Sequence, residues 1–239
     1  LNEILDFEFT SKKLVLKIEN ETDYKKKNET GNLKISFKNK NSFFDYQINA
    51  NTLDVISEDN NKLFKGLIEF KPFYLVSNFK YQTFRIKDLL NNPFFMEILK
   101  SQVLNNKNLN AIINFDVKNV YDFDRFSDLS LKLKIEEGNY NFSNSNIIWK
   151  ENVKVSFSDS FLNFDKEKIN LNGRTSFDVK NQDEFFKFFQ IKKDLRKNIG
   201  KIELDFNYDL NEEKITFDNL RIDNKSNKKI EEIISNFNS

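Results

Sequence analysis

The sequence contains no cysteine and no histidine among its 239 residues. The absence of cysteine excludes a disulfide framework and thiolate metal sites, and it leaves the redox compartment open. Without histidine, the chain also lacks the side chain most often used for acid–base catalysis near neutral pH. Any function therefore has to depend on other groups.

Proline and glycine are scarce too, at two and five residues. Because proline cannot donate a backbone hydrogen bond, a chain whose only prolines are Pro72 and Pro93 meets almost no obstacle to strand pairing. No apolar run approaches the roughly 20 residues that a membrane-spanning helix needs. The chain begins at Leu1 and not at methionine, so we expect it to be a piece of a longer polypeptide.

An excess of one charge is also missing. Lys and Arg total 38 and Asp and Glu total 37, with the two signs interspersed along the candidate strands. A nucleic-acid-binding protein normally gathers a basic excess on one face. The charge pattern therefore argues against nucleic acid as a partner.

Period-two alternation of apolar and polar residues, in contrast, runs along the whole chain. It is clearest in residues 109–117, 131–135 and 202–210. Strands with this pattern place apolar side chains on one face of a sheet and polar side chains on the other. The sequence therefore predicts a mainly β protein, built as a long, twisted antiparallel meander.

Three segments change from period two to helical spacing, and we expect short amphipathic helices near residues 93–104, 183–199 and 226–237. Asn92 and Pro93 form a favourable start for the first helix, and Asp183 and Ser226 are expected to cap the other two. Helices are too few to cover such a sheet completely.

The same patterns suggest two parts. Residues 1–85 predict an N-terminal β-meander, and residues 86–239 predict a C-terminal segment that contains all three helices. The sequence leaves open whether the two parts share one continuous sheet.

Carboxylate pairs are the first candidates for chemistry. A glycoside-cleaving pair needs two carboxyl groups that face each other across a cleft. Neighbouring residues on a strand point to opposite faces, and the paired acids here lie in predicted turns, where they are expected to face water: Glu136 with Glu137, and Glu212 with Glu213. We therefore predict no enzymatic activity and no catalytic residue.

Metal and phosphate sites are not indicated either. Asp122, Asp124 and Asp128 have a spacing with some likeness to a calcium loop, but the glycine turn and the terminal glutamate of that loop are missing. Turn-forming aspartates explain them better. A glycine-rich phosphate loop and a nucleophile elbow are absent as well, so no cofactor and no metal ligand is expected.

The 27 phenylalanines are the remaining feature, and many of them occupy the apolar positions of candidate strands. Two interpretations stay open. They pack a closed core, as in a β-sandwich, or they line an apolar trough for a hydrocarbon ligand.

From residue 129 to residue 224, a series of short motifs resembles the AsmA-like family of bacterial envelope proteins, which includes TamB-type and YhdP-type relatives. Gly138 and Gly173 stand where that family places glycine in its turns. The segments that carry the resemblance are residues 135–142, 147–149, 169–177, 189–197 and 215–224.

The resemblance implies a sheet curled into an open groove, anchored at the inner membrane by a region outside this segment and crossing the periplasm. It also implies that the groove shields or conducts phospholipid acyl chains and so supports outer-membrane assembly in a Gram-negative bacterium. The residues expected to face the lipid are inward strand positions: Ile113, Phe115, Leu131, Leu133, Ile135, Tyr140, Phe142, Leu204, Phe206 and Tyr208.

The main alternative is a closed β-sandwich or solenoid that acts as a scaffold or adhesive module of a larger surface protein. That alternative predicts a sealed core and binding through loops such as residues 24–31. An enzyme acting on carbohydrate is a more distant third.

Overall fold

The computed structural model describes residues 2–11, 14–23, 29–37, 40–59, 62–86, 107–121, 125–165 and 168–238. Fifteen strands, β1 to β15, have their bounds within these residues. In chain order they are Asn2–Ser11, Leu14–Asp23, Glu29–Phe37, Lys40–Ile48, Thr52–Asp59, Lys62–Phe70, Phe73–Phe84, Asn110–Val120, Phe126–Glu136, Asn139–Asn141, Asn146–Trp149, Val153–Asp165, Lys168–Val179, Lys201–Asp209 and Lys214–Ile222.

All fifteen strands belong to one sheet. Its order follows the chain, except that the short strands β10 and β11 lie end to end between β9 and β12. Every pairing is antiparallel apart from β7 with β8, which is parallel. The prediction of a mainly β, largely antiparallel meander is confirmed.

The parallel pair joins the two predicted parts of the chain. Tyr74 to Phe84 on β7 pair with Asn110 to Val120 on β8, so residues from both parts lie in the same sheet. Parallel neighbours need a crossover of a dozen or more residues, and the chain between Phe84 and Asn110 is long enough for one. The division into two domains stays a prediction.

Two α-helices, and not the three expected, have bounds in the described part of the chain: α1, Gln182–Phe188, and α2, Lys228–Asn238. The predicted helix at 93–104 lies outside the described residues. The predicted cap of α1 was wrong by two residues, because the side chain of Asn181, and not of Asp183, accepts a hydrogen bond from the Glu184 N–H. The third predicted helix starts two residues later than expected, at Lys228.

The predicted length of α1 was also wrong, since the helix ends at Phe188 and not near residue 199. Gln190 takes a left-handed conformation with φ 53°. The N–H groups of Gln190 and Ile191 then bond back to the carbonyls of Lys187 and Phe186, at 3.1 and 2.9 Å. This is the Schellman arrangement, which closes a helix after its last turn. A separate 3₁₀ turn follows at Lys193–Leu195.

The strand register aligns apolar residues in one row across the sheet, which we call the apolar row. Each of its residues is paired with the next, from β4 to β15, over a distance of about 48 Å at about 4.8 Å per strand. The apolar row consists of Ile48, Leu53, Ile68, Leu75, Ala111, Ile135, Tyr140, Leu162, Leu171, Tyr208 and Ile215.

The middle of the apolar row is the best-packed part of the described sheet. Ala111, Ile135, Tyr140 and Leu162 are buried and form one cluster with Ile169. A second cluster is built on Val153, Val155 and Val179, toward the end of the sheet where α1 lies. Outward from the first cluster, the row becomes half-exposed on both sides, and Ile215 at its β15 end is exposed.

The strand β12 contains a bulge between Ser158 and Phe161 at the point where β10 and β11 are interrupted. Asp159 has φ 47° there, and Ser160 is buried. Serine hydroxyls replace the missing ladder bonds, because the Ser160 N–H donates to Ser143 Oγ at 3.0 Å. On β13, Gly173 leaves the space into which Ser160 fits.

Gly173→Ala is expected to destabilise the protein by about 1–3 kcal/mol, because the new Cβ would lie 2.2 Å from Ser160 Oγ and 2.6 Å from its Cα. Urea unfolding followed by circular dichroism measures the change. Gly66→Ala is the matched control, since its Cβ would meet only the ring of Phe64, which can turn aside. An equal loss of stability in the two variants would contradict the proposed role of Gly173.

Candidate functional site: the apolar face of the sheet

The face that carries the apolar row is the strongest candidate for a functional surface, and an aromatic ladder runs beside the row. Phe64, Phe79 and Phe115 are paired in turn on β6, β7 and β8, and Leu131 on β9 follows them. Ring centroids lie 4.7 Å apart for Phe64 and Phe79, and 6.1 Å apart for Phe79 and Phe115. On the other side, Phe44 of β4 meets Phe64 edge to face at 5.6 Å. All five side chains are half-exposed.

The structure brings all ten predicted lipid-facing residues to this one face, nine through strand pairing and Phe142 through packing of its side chain against the buried cluster. Ile113 pairs with Leu133, Phe115 with Leu131, and Ile135 with Tyr140. The pairing of β13 with β14 places three more of them on the same face. The pairs are Thr175 with Leu204, Gly173 with Phe206, and Leu171 with Tyr208. The tenth, Phe142, lies in the gap between β10 and β11, where its N–H donates to the Ser160 carbonyl at 2.7 Å.

Burial separates these ten residues into two groups. Ile135, Tyr140 and Phe206 are buried, so they pack the core and do not present area to a ligand. The other seven are half-exposed: Ile113, Phe115, Leu131, Leu133, Phe142, Leu204 and Tyr208. A ligand at this surface would contact the second group.

Sequence reasoning missed Phe44, Phe64 and Phe79 as site residues. All three lie in the meander predicted over residues 1–85, but only the pairing of β6 with β7 and the parallel pairing of β7 with β8 place these rings in line with Phe115. Each of the three stands at an apolar position of its own strand, which was the only available signal.

The two helices contact different margins of the described face. Phe185 of α1 packs against the Val153 cluster near Trp149, where β11 and β12 meet. α2 lies along the edge strand β15, where the Asn238 side chain bonds both the N–H and the carbonyl of Phe217, at 2.9 and 2.7 Å. Phe237 stacks on Phe217 with centroids 5.0 Å apart. α2 thus satisfies part of the open edge of β15.

The opposite face of the sheet is polar. Arg174 bonds Asp205 at 2.9 Å, and Asn219 bonds the other oxygen of Asp205 at 2.8 Å. Desolvation would raise the pKa of Asp205, but these two hydrogen bonds outweigh it and hold the pKa below its ordinary value. Asn114 similarly bonds Asn78 across β7 and β8. Cross-strand pairs of this kind suit a face in contact with water.

The acidic residues considered from sequence are dispersed. Asp122 and Asp124 lie outside the described residues, and Asp128 is paired with Lys118 at 2.8 Å, which lowers the pKa of Asp128. Both glutamate pairs are exposed at hairpin turns. In the described ranges there is no group of three or more acidic side chains placed to hold a metal ion.

No helix in the described part of the chain has the length and hydropathy of a membrane span. No family model, curated protein or solved structure matches this chain.

Tyr140 is the one polar group buried without a partner in the described sheet. Its hydroxyl has no hydrogen bond, and the side chain is 2% exposed. Burial raises its pKa to about 12, because the phenolate would lose its hydration. An unpaired buried hydroxyl costs about 1–3 kcal/mol.

Tyr140→Phe is expected to leave the fold intact and to raise the free energy of unfolding by about 1 kcal/mol at neutral pH. The contribution of Tyr140 to stability is complete below the unfolded-state pKa near 10, and is lost as pH rises toward about 12. The wild type should therefore lose more stability than the variant over that range. Urea unfolding at matched pH values checks this, and identical pH profiles would contradict it.

Proposed function

We propose that the apolar face of this sheet holds phospholipid acyl chains, as one segment of an AsmA-like envelope protein that shields or conducts lipid across the periplasm. The observation that carries the proposal is the apolar face itself, with the apolar row crossing eleven strands and the half-exposed phenylalanine ladder beside it. The resemblance of residues 129–224 to that family supports the same function.

The energetic requirement is simple. Moving a 16-carbon acyl chain into water costs about 12 kcal/mol, at about 0.8 kcal/mol per CH₂. Lipid passage between two membranes therefore needs a continuous apolar surface. An antiparallel sheet with one apolar face supplies such a surface without any catalytic group.

The sheet topology fits an open sheet better than a closed sandwich. A sandwich needs two packed sheets, and the described strands form one, with β1 and β15 at its edges. These observations favour a groove over a sealed scaffold.

The polar face would remain in water while the lipid lies on the other side. Lys132 and Lys134 alternate with Leu131, Leu133 and Ile135 along β9, and both lysines are exposed. A head group that stays outside the open edge needs no dedicated pocket, which agrees with the dispersed polar groups of the described sheet.

Leu133→Asp is expected to abolish association with phospholipid, because it places a carboxylate among the half-exposed apolar side chains. The measurement is native mass spectrometry of detergent-free protein from a bacterial host, with lipid extraction of the same sample. The wild type should carry phospholipid in repeatable stoichiometry, and the variant should carry none.

Lys132→Asp is the matched control. It introduces the same side chain one residue away, on the polar face, and should keep the lipid. Circular dichroism verifies that both variants are folded. A wild-type protein without lipid would favour the sealed scaffold, and a folded Leu133→Asp variant that retains lipid would remove Leu133 from the site.

A further inference from the structure

One end of the apolar face carries a group of aromatic rings that we call the aromatic end: Trp149 on β11 with Phe185, Phe188 and Phe189 of the α1 region. The Trp149 ring centroid lies 4.7 Å from that of Phe188 and 5.8 Å from that of Phe189. Phe185 and Phe189 are 4.8 Å apart. The four rings therefore form a continuous aromatic surface.

The backbone fixes this surface from both sides. Lys150 and Glu151 have φ 48° and 59°, and the Asn152 N–H bonds the Trp149 carbonyl at 3.1 Å. The two positive φ values make this a hairpin turn of the type that matches strand twist, within the three-residue connection from Trp149 to Val153. On the other side, the closure of α1 at Gln190 holds Phe188 and Phe189 at the end of the helix.

Two cations lie on the rings. The Lys150 ammonium is 4.3 Å from the centroid of Phe188, and the Arg125 guanidinium is 4.7 Å from it. Both side chains are exposed, and both line an open depression of about 600 Å³ next to the aromatic end. Phe188 is therefore covered by positive charge on its accessible faces.

Positive charge extends along the chain that follows. Residues 180–200 contain six basic and three acidic side chains, although the whole chain has a net charge of only +1. Among the acids, Glu184 pairs with Lys187 at 2.7 Å, and Asp183 lies 3.9 Å from Arg196. Lys180, Lys192, Lys193 and Lys197 are exposed. The aromatic end thus lies beside a locally basic segment, and the exposed Glu151 is the acid that lines the same depression as Arg125 and Lys150.

Burial shows that the aromatic end is more than a plug for the core. Phe186 is 5% exposed and fills that role, whereas its neighbour Phe189 is 53% exposed. A single exposed ring is ordinary on a protein surface, as Phe43 shows at 65%, so the exposure of Phe189 matters here because other rings and cations lie beside it. Exposed rings flanked by lysine and arginine are the side-chain set that favours the interface of a bilayer.

We propose that the aromatic end docks on the surface of an anionic phospholipid bilayer, with Phe189 entering the interface and Arg125 and Lys150 contacting lipid phosphates. The positive charge beside the rings identifies an anionic bilayer as the partner, since apolar contact alone would not favour an anionic surface. The biological purpose of this docking rests on the proposed function, because docking would place the apolar face next to a membrane that donates or accepts lipid. Its test is independent of lipid carriage.

Trp149 makes the test site-specific, because it is the only tryptophan of the chain. The full chain is sedimented with vesicles of phosphatidylcholine alone or with about 30% phosphatidylglycerol, and Trp149 emission is followed with brominated lipids. We expect binding to the anionic vesicles, weakened by salt, with quenching of Trp149. Binding to neutral vesicles should be at least tenfold weaker.

Phe189→Ser should weaken binding to the anionic vesicles about tenfold through lost apolar contact. Arg125→Glu with Lys150→Glu should weaken it at least about 25-fold, at about fivefold per charge. Phe43→Ser is the matched aromatic control, because Phe43 is 65% exposed and far along the sheet on β4. Lys65→Glu with Lys132→Glu is the matched charge control on the polar face, and both controls should bind like the wild type.

The proposal is overturned if the wild type ignores anionic vesicles, or if binding occurs without quenching of Trp149. It is also overturned if Phe189→Ser binds like Phe43→Ser, or if the two double charge reversals weaken binding equally. In either case the net charge of the protein, and not the aromatic end, would explain the association. Loss of vesicle binding with retained co-purified lipid contradicts only the docking. Vesicle binding by a protein that carries no lipid contradicts only the lipid groove.

Discussion

Register between antiparallel strands is the constraint on which the rest of this structure depends. Side chains alternate between faces with a period of two, so a slip of one residue in any strand would move its apolar side chains to the polar face. The pairs of Ile135 with Tyr140, and of Tyr140 with Leu162, keep three strands in phase at the buried centre. Because both faces inherit this alignment, the polar pairs on one side and the apolar row on the other are consequences of the same register.

The interruption near Ser160 shows how the register is preserved where the strands are irregular. The bulge in β12 lies beside the gap between β10 and β11. Both irregularities change the alternation of side chains between the two faces, so the apolar residues stay on one face and Leu162 still pairs with Leu171. Ser145 fills the gap with its side chain, accepting from the Lys132 N–H at 2.9 Å and donating to the Lys132 carbonyl at 3.3 Å. Small hydroxyl residues can occupy such sites because they satisfy backbone groups without much volume.

The sequence predicted what is local and missed what depends on distant pairing. Alternation predicted the meander over residues 1–85 and the strands around residues 109–117, 131–135 and 202–210, and it assigned Leu204, Phe206 and Tyr208 to one face. It extended α1 too far because Phe189, Leu195 and Ile199 continue a plausible helical stripe. That helix is closed by Gln190 in a left-handed conformation. Glutamine seldom adopts this conformation, so the sequence does not predict the end of the helix at this position. The phenylalanine ladder likewise depends on the parallel pairing of β7 with β8, which no local pattern records.

The apolar face is not chemically uniform, and the differences follow its position in the sheet. The centre, around Ala111 and Ile135, is closed by packing and offers stability. The ladder around Phe79 presents half-exposed rings, and the charges of Lys62 and Asp59 at its margin pair with each other at 3.3 Å, so the ring surface suits an uncharged hydrocarbon. At the aromatic end exposed rings meet cations, and that combination suits the boundary between hydrocarbon and an anionic head group. The apolar row runs across the strands, whereas the aromatic end lies where β11 and β12 meet, so the face changes from apolar to amphipathic along the strand direction. Under the proposed function, a lipid would therefore meet these charged groups at the margin of the face and not among the rings of the ladder.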